Sequence, residues 1–391
     1  MKVLVLYDYP PSPGGLSTQG DLLYKGLLEL GVDVYAVNSE SAQEKEWYYR
    51  WFKPDVVVGI GYWGHTPQLV LHPQRYGIQA VPWLVADGYI ANYQEVLNEL
   101  PLILVTSNWV KEMYVRDGIN EDKIMVLPVG CDTDTFVPMD KKNPKIKSVR
   151  ESLGVSDDQL MILTVGGDAA SKGAQEVMQA LAIIDTKAPD WKYVCKVWPQ
   201  PRTVSQNLMD LKMATDLGIE KNVIYATNTI SRNFMPYLIG ACDIYAAPSR
   251  LEGFGMPQVE AGACGKPVIG IKAMGMLDTL IDNETALLAN VAQKIVLNEV
   301  ILGAESGFVN NHCVKFTVPR TVDYRANVQD IAKDLLLLMN DAALREKMGK
   351  AGRERVVKNF DYRVVAKQFL QIIQDKLGIQ KHNENNRFNQ N

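Results

Sequence analysis

Short apolar runs alternate with amphipathic stretches along the first part of the chain. Val3–Tyr7, Val32–Asn38, Asp55–Ile60, Gln79–Val85 and Leu102–Thr106 are near-continuously apolar, as expected of parallel strands covered on both faces. Between them, Ser17–Leu30 places Leu23, Leu27 and Leu30 on one helical stripe and stops at Gly31. Ser107–Asp117 reads the same way, with Ser107 as N-cap and Gly118 as stop. The pattern breaks between Asp132 and Gln159, where Asp140–Lys145 is polar and rich in breakers and suits a linker. It then restarts, with strands expected at Leu160–Val165, Tyr193–Val197, Asn222–Tyr225, Asp243–Ala246 and Pro267–Ile271. Near the end, Tyr362–Leu377 carries Val365, Phe369, Ile372 and Ile373 on one stripe. Strand and helix alternating in this way predict an α/β chain with two Rossmann-like, doubly wound parallel sheets in tandem. The expected domains are 1–140 and 141–360, with a polar tail at 379–391.

Composition sharpens this picture. At 391 residues, length alone suggests two or three domains of roughly 150 residues each. With 41 Lys+Arg against 45 Asp+Glu, the balance argues against nucleic acid as a partner. Five cysteines (Cys131, Cys195, Cys242, Cys264 and Cys313) form no C-x-x-C pair, so neither a zinc site nor a redox motif is signalled. Strand-like sequence from Lys2 leaves no room for a signal peptide, and no run approaches 18 apolar residues. A cytoplasmic protein is expected. The oligomeric state stays open.

Open α/β sheets take ligands at the carboxyl ends of their strands. The first strand runs into Pro13-Gly14-Gly15 before a helix, where two glycines let backbone amides approach an anion; an ordinary turn fits equally well. Pro248–Val268 is more specific. Ser249, Glu252, Gly253, Phe254, Gly255, Pro257, Glu260, Gly265 and Pro267 follow the strand Asp243–Ala246. Pro257 suits a first helical turn, and Gly265 its stop. The Gly253–Gly255 loop offers N–H groups to a phosphate, and Glu260 lies one turn inside, where a carboxylate can hold vicinal hydroxyls such as those of a ribose.

Here the chain resembles the retaining glycosyltransferases of family four, whose signature S-x-x-E-G-F-G-x-x-x-x-E-A runs complete from Ser249 to Ala261. Ser107–Lys111 through Pro128–Thr133 is similar to the family's segment entering its interdomain linker. Leu163-Thr164-Val165-Gly166 with Lys172-Gly173 resembles the element whose lysine binds the donor diphosphate. The resemblance implies a GT-B fold: two Rossmann-like domains facing a cleft, 1–140 on the acceptor side and 141–360 binding the nucleotide sugar, with the helix 361–378 crossing back to the first. It implies that Glu260 holds the ribose, that Gly14, Gly15, Gly166 and Lys172 meet the phosphates, and that Glu252 contacts the transferred sugar. The implied reaction takes a nucleotide diphosphate sugar and a hydroxyl acceptor (saccharide, lipid-linked or small), with no cofactor and no metal. Three positions depart from the family pattern: Gly167 replaces an arginine, Ala86 a histidine, and Asp278 a common glutamate. Arg202, Arg232 and Arg250 are candidates to replace the arginine. Residues 290–325 are longer than the family's usual connection and carry no readable motif.

Other readings compete. Gly59-Ile60-Gly61-Tyr62-Trp63-Gly64 matches G-x-G-x-x-G, with Asp87 23 residues beyond, which suits an NAD-dependent oxidoreductase. The motif sits on the third strand and leaves Ser249–Ala261 unexplained. Trp63, His65 and Asp87 are instead candidates for an acceptor cleft, although a packed loop suits Trp63 and His65 better. Asp132-Thr133-Asp134 has the D-x-D spacing of metal-dependent transferases, but aspartates there also suit a turn. Glu252 and Glu260 have the makings of a glycosidase pair, and a non-catalytic nucleotide-sugar-binding relative is a further alternative. Lys141, Lys142, Lys145, Lys147 and Arg150 suit a solvated linker or a peripheral contact with an anionic membrane.

Overall fold

The structure, a computed structural model, describes residues 1–86, 88–199 and 201–380, and the side chains of all of these except 201–205. The chain divides into two compact units. Unit 1 comprises Met1–Gly130, Glu299–Lys315 and the segment from Asp361 onward; unit 2 comprises Cys131–Asn298 and Phe316–Phe360.

Unit 1 is built on a six-stranded parallel sheet of β1 (Lys2–Tyr7), β2 (Asp33–Asn38), β3 (Val56–Tyr62), β4 (Ala80–Val85), β5 (Ile103–Val105) and β6 (Ile124–Val126), in the order 2-1-3-4-5-6. Val3 of β1 faces Val34 on one side and Val56 on the other. Both faces of β1 are buried from Val3 to Tyr7, which explains its unbroken apolar run. The strand order reverses between β1 and β3, so this is the unit's topological switch point. Helix Gly15–Glu29 lies close to the sheet because Gly20 has no Cβ: one there would sit 2.4 Å from the Tyr7 ring. Its other face packs on Tyr362–Leu377, which is capped by Asp361 and tied by Tyr362 Oη donating to Glu29 Oε1 at 2.5 Å.

Unit 2 repeats the theme with β7 (Leu160–Val165), β8 (Trp191–Lys196), β9 (Val223–Ala226), β10 (Ile244–Ala246), β11 (Val268–Ile271) and β12 (Ala286–Ala289). Their order, 12-11-10-7-8-9, is parallel throughout and reverses between β7 and β10. Buried hydroxyls brace that junction: Thr164 Oγ1 lies 2.6 Å from Tyr193 Oη, and Val165 N–H donates to Tyr245 Oη at 3.3 Å. A two-stranded ribbon, β13 (Val291–Leu302) and β14 (His312–Ala326), completes the strands among the described residues. Its stem belongs to unit 2 and its tip, Glu299–Lys315, to unit 1.

Three features differ from the sequence reading. The chain changes unit between Gly130 and Cys131, ten residues before the expected 140/141 boundary, because Phe136 is buried and Arg353 holds the Thr133 and Phe136 carbonyls. The expected linker ends in a helix, Pro144–Ser152, capped by Asn143. Its basic run is largely engaged: Arg150 is buried on Asp243 and three carbonyls, Lys141 pairs with Asp243, and Lys145 reaches Tyr237. β12 and the ribbon were not anticipated. The ribbon is exposed on both faces over most of its length, so its sequence lacks the apolar alternation of a half-buried sheet. The polar tail falls outside the described residues beyond Gln380. Among the described residues no helix is long and apolar enough to cross a membrane.

Candidate functional site

The loops that leave β7 and β10 flank the unit 2 switch point, and the unit 2 candidates fall on them and on the helix that follows β10. After β7, Gly166 opens a turn in which Asp168 accepts from Ser171 N–H at 2.6 Å and from Ser171 Oγ at 2.9 Å. A Cβ on Gly166 would stand 2.6 Å from Lys172 Cγ, so the glycine gives the lysine its path. Gly173 follows at φ 81°, with Pro248 O only 2.4 Å from where a Cβ would be. A residue with a side chain is excluded there twice, by conformation and by space. Arg250 N–H then donates to Ser171 O at 2.9 Å and ties the two loops together.

This close approach brings Lys172 and Glu252, eighty residues apart in sequence, into an ion pair with Nζ and Oε2 2.6 Å apart. The other Glu252 oxygen accepts from Gly255 N–H at 3.0 Å. One of the amides expected to face a phosphate therefore serves Glu252. Gly255 sits at φ 92° and starts helix Met256–Ala263, with Pro257 in its first turn. Phe254 is buried against Phe360, ring centroids 5.6 Å apart, and Gly253 O would touch any Cβ on Gly275. The loop is thus wedged from both sides. Beneath it, buried Gln258 donates to Ala247 O and Ser249 Oγ, both at 3.1 Å, fixing the strand-to-loop exit.

Glu260 lies one turn into the helix, 4% exposed, and pairs with Arg232 at 2.5 Å. The Arg232 guanidinium stacks on Phe136, 4.6 Å from the ring centroid. Burial works to lower its pKa, but the Glu260 charge and hydrogen bond, with Cys131 and Asp132 adding to them, make the net shift upward. Arg250 is occupied elsewhere, forked onto Glu176 with Gln175 beside it, and Arg325 also reaches Glu176. Of the three arginines proposed in place of the family's, Arg232 is the one placed beside a candidate site residue; the Arg202 side chain lies outside the described residues. Gly167 explains the substitution itself. A Cβ there would come 3.2 Å from the Trp198 ring, which fills the space a larger side chain needs.

In unit 1, Gly14 caps helix Gly15–Glu29 with open space where a Cβ would be, and Ser12 N–H donates to Ser17 Oγ at 2.8 Å beside it. Trp63 is buried, its ring centroid 6.3 Å from that of Tyr89. His65 stands edge-on to Tyr62 at 4.3 Å, and burial lowers its imidazole pKa. Asp87 lies outside the described residues. Gly59 and Gly61 fall inside β3, where Leu69 and His65 pack against them at distances no Cβ allows. They serve packing and offer no free loop to a dinucleotide. Asp132 Oδ1 accepts from Asp134 and Thr135 N–H, so the D-x-D match closes a turn. Among the described residues no group of three or more His, Cys, Asp or Glu side chains gathers as metal ligands would. Cys131, Cys195, Cys242 and Cys264 are buried, and burial pushes the Cys195 and Cys242 thiols up to about 12.

Residues 145–307 match the family model described as glycosyl transferases group 1. The chain is 21% identical over 283 residues to the MMP alpha-(1->4)-mannosyltransferase of Mycolicibacterium hassiacum, covering 72% of this chain and 56% of that one. It spans about half the length of the curated relatives it matches. Among solved structures, it is similar to Anabaena HepE in complex with UDP and glucose, at TM-score 0.71 and 16% identity over 96% of this chain and 99% of that one. Sucrose-phosphate synthase from Thermosynechococcus elongatus gives TM-score 0.73 and 17% identity over the same shares, 96% and 99%. The chain thus has the two-sheet architecture of GT-B glycosyltransferases, and its residues 145–307 carry the pattern of the glycosyl transferases group 1 family.

Proposed function

We propose that this chain transfers a sugar from a nucleoside diphosphate donor to an acceptor hydroxyl, with retention of configuration and without a metal ion. The observation that carries the reading is the Lys172–Glu252 pair, held at 2.6 Å at the unit 2 switch point beside the start of helix Met256–Ala263. A switch point is where open α/β sheets take nucleotides, and a helix start favours phosphate. The relatives named as glycosyltransferases and the solved structure with UDP support the choice of donor.

In the reaction the bond from the anomeric carbon to the diphosphate oxygen breaks, and a bond to the acceptor oxygen forms. The acceptor proton passes to a departing phosphate oxygen, so no redox partner is needed. Lys172 stabilises the growing negative charge, an electrostatic role that supplies most of the acceleration in such sites. At rest its ammonium is held by Glu252, which keeps it aimed until a diphosphate shares it. Glu260, oriented by Arg232, accepts from the ribose hydroxyls. A glycosidase pair fits less well, since each carboxylate is already engaged by a cation and neither is free to serve as proton donor.

Incubation with UDP-, GDP- and ADP-sugars in EDTA, followed by NMR of the product's anomeric proton, tests the proposal. One donor series should be consumed and yield a product of unchanged anomeric configuration. Inverted product would overturn retention, and strict need for magnesium or manganese would overturn metal independence.

A further inference from the structure

The ribbon tip lies over the ends of β3 and β4, next to the unit 1 switch point. Tyr62, the last residue of β3, donates from Oη to Glu305 O at 3.4 Å. In the loop after β4, Asn92 Nδ2 donates to Ser306 O at 2.9 Å. The 3-10 turn Ala304–Ser306 also touches the turn Trp63–His65. Gly307, at φ 82°, approaches Tyr93 so closely that a Cβ would fall 1.8 Å from its hydroxyl. Tyr93 is itself held at φ 67°, a conformation a bulky residue avoids. Its N–H is fixed by Asn92 Oδ1 at 2.8 Å. Strain of this kind persists only where the surroundings over-determine it, and it concentrates at ligand clamps.

On the reading of this chain as a glycosyltransferase, unit 1 receives the acceptor, and strand ends at a switch point are where a doubly wound sheet receives any ligand. We propose that the tip Ala304–Gly307 is the acceptor-selecting element of this chain. Together with Tyr62, His65, Asn92 and Tyr93 it sets which polyhydroxylated acceptor is admitted. The chemistry suits a polyol or saccharide: the rings of Tyr62, His65 and Tyr93 offer apolar faces to C–H groups, and the exposed Glu305 carboxylate offers a polar tip to hydroxyls, while the Asn92 amide and the Tyr62 phenol hold the tip in place. The docking contacts use main-chain carbonyls and one obligatory glycine. The exposed side chains of the tip, Ala304 and Glu305, are therefore free to change with the acceptor while the tip stays seated on buried Ser306 and on Gly307.

Two variants of the full chain test this. Gly307→Val drives the tip from Tyr93, and replacement of 304–310 by Asn-Gly shortens the ribbon to a two-residue hairpin turn. For each, acceptor KM is measured over a panel of polyols and saccharides, UDP, GDP and ADP affinity by calorimetry, and folding by thermal melt. In both variants acceptor KM should rise about tenfold or more and the ranking of acceptors should change, while nucleoside diphosphate affinity stays unchanged. Unchanged KM and ranking in both would overturn the proposal. Loss of acceptor and nucleotide affinity in equal measure would also overturn it, by assigning the tip a merely structural role. If the unaltered protein binds no nucleoside diphosphate at all, the glycosyltransferase reading fails first and the tip proposal falls with it.

Discussion

Each six-stranded sheet has one point where its strand order reverses, and the two points carry different chemistry. In unit 2 the loops after β7 and β10 bring charges together: Lys172 on Glu252, and Glu260 on Arg232 one helical turn away. In unit 1 the loops after β1 and β3 bring glycines and aromatic rings, and the ribbon tip supplies main-chain carbonyls. A doubly charged leaving group demands the first kind of surface, while a neutral polyhydroxylated molecule is better held by the second. The unit 2 loops are also pinned by contacts that tolerate no side chain, at Gly173 and Gly275. Pre-organised charge is worth most where nothing has to move when the transition state forms.

The largest effect should come from removing the charge at the unit 2 switch point. Lys172→Ala is expected to weaken diphosphate binding by roughly 10- to 150-fold, the equivalent of losing about 1.5–3 kcal/mol of charge-assisted contact. Nucleoside affinity should hardly change; equal loss for nucleoside and diphosphate would show that Lys172 serves packing alone.

Glu252 and Glu260 should then separate kinetically. Glu260→Gln is expected mainly to raise donor KM, since a ribose contact exists in ground and transition states alike, whereas Glu252→Gln should mainly lower kcat. Steady-state kinetics with varied donor distinguish the two, and abolition of turnover by both changes would favour a glycosidase-like pair.

In unit 1 the contrast concerns packing. Gly61→Ala places a Cβ 2.5 Å from His65 Nδ1 and 2.9 Å from Leu69 Cδ1. Overpacking of this kind costs about 1–3 kcal/mol, readable as a lowered urea midpoint with nucleotide affinity unchanged. A change in NAD affinity instead would revive the dinucleotide motif.

The smallest effect is a pH dependence remote from both sites. Burial, with Asp330 adding to it, raises the Asp334 carboxyl from 3.8 to about 6. The folded state then holds a proton more tightly than the unfolded one, so this residue destabilises the fold above about pH 6 and sheds that penalty as pH falls towards 4. Asp334→Asn should therefore stabilise by on the order of 1 kcal/mol at pH 7 and by almost nothing at pH 4, as urea titrations at the two pH values would show.

Sequence legibility follows the same division. Chemistry made of near neighbours was readable: Ser249–Ala261 announces its own loop, helix and carboxylates, and Gly31, Gly118 and Gly265 all take the positive φ expected of helix stops. The Lys172–Glu252 contact was not readable from spacing, because it depends on β7 and β10 lying side by side across eighty residues. Arg232 was one of three candidate arginines, but its pairing with Glu260 was not readable either, because it lies on a short 3-10 turn remote in sequence from that residue. The G-x-G-x-x-G match misled because glycines that admit Leu69 and His65 look, in one dimension, like glycines that admit a phosphate. The ribbon escaped because neither face is continuously buried, so no period-two pattern marks it.

If the nucleotide binds at the unit 2 switch point, amide hydrogen exchange will register it there. With a saturating nucleoside diphosphate in EDTA, exchange should slow across 166–173 and 252–260. Protection that leaves both segments unchanged and falls instead on 59–65 would contradict that placement.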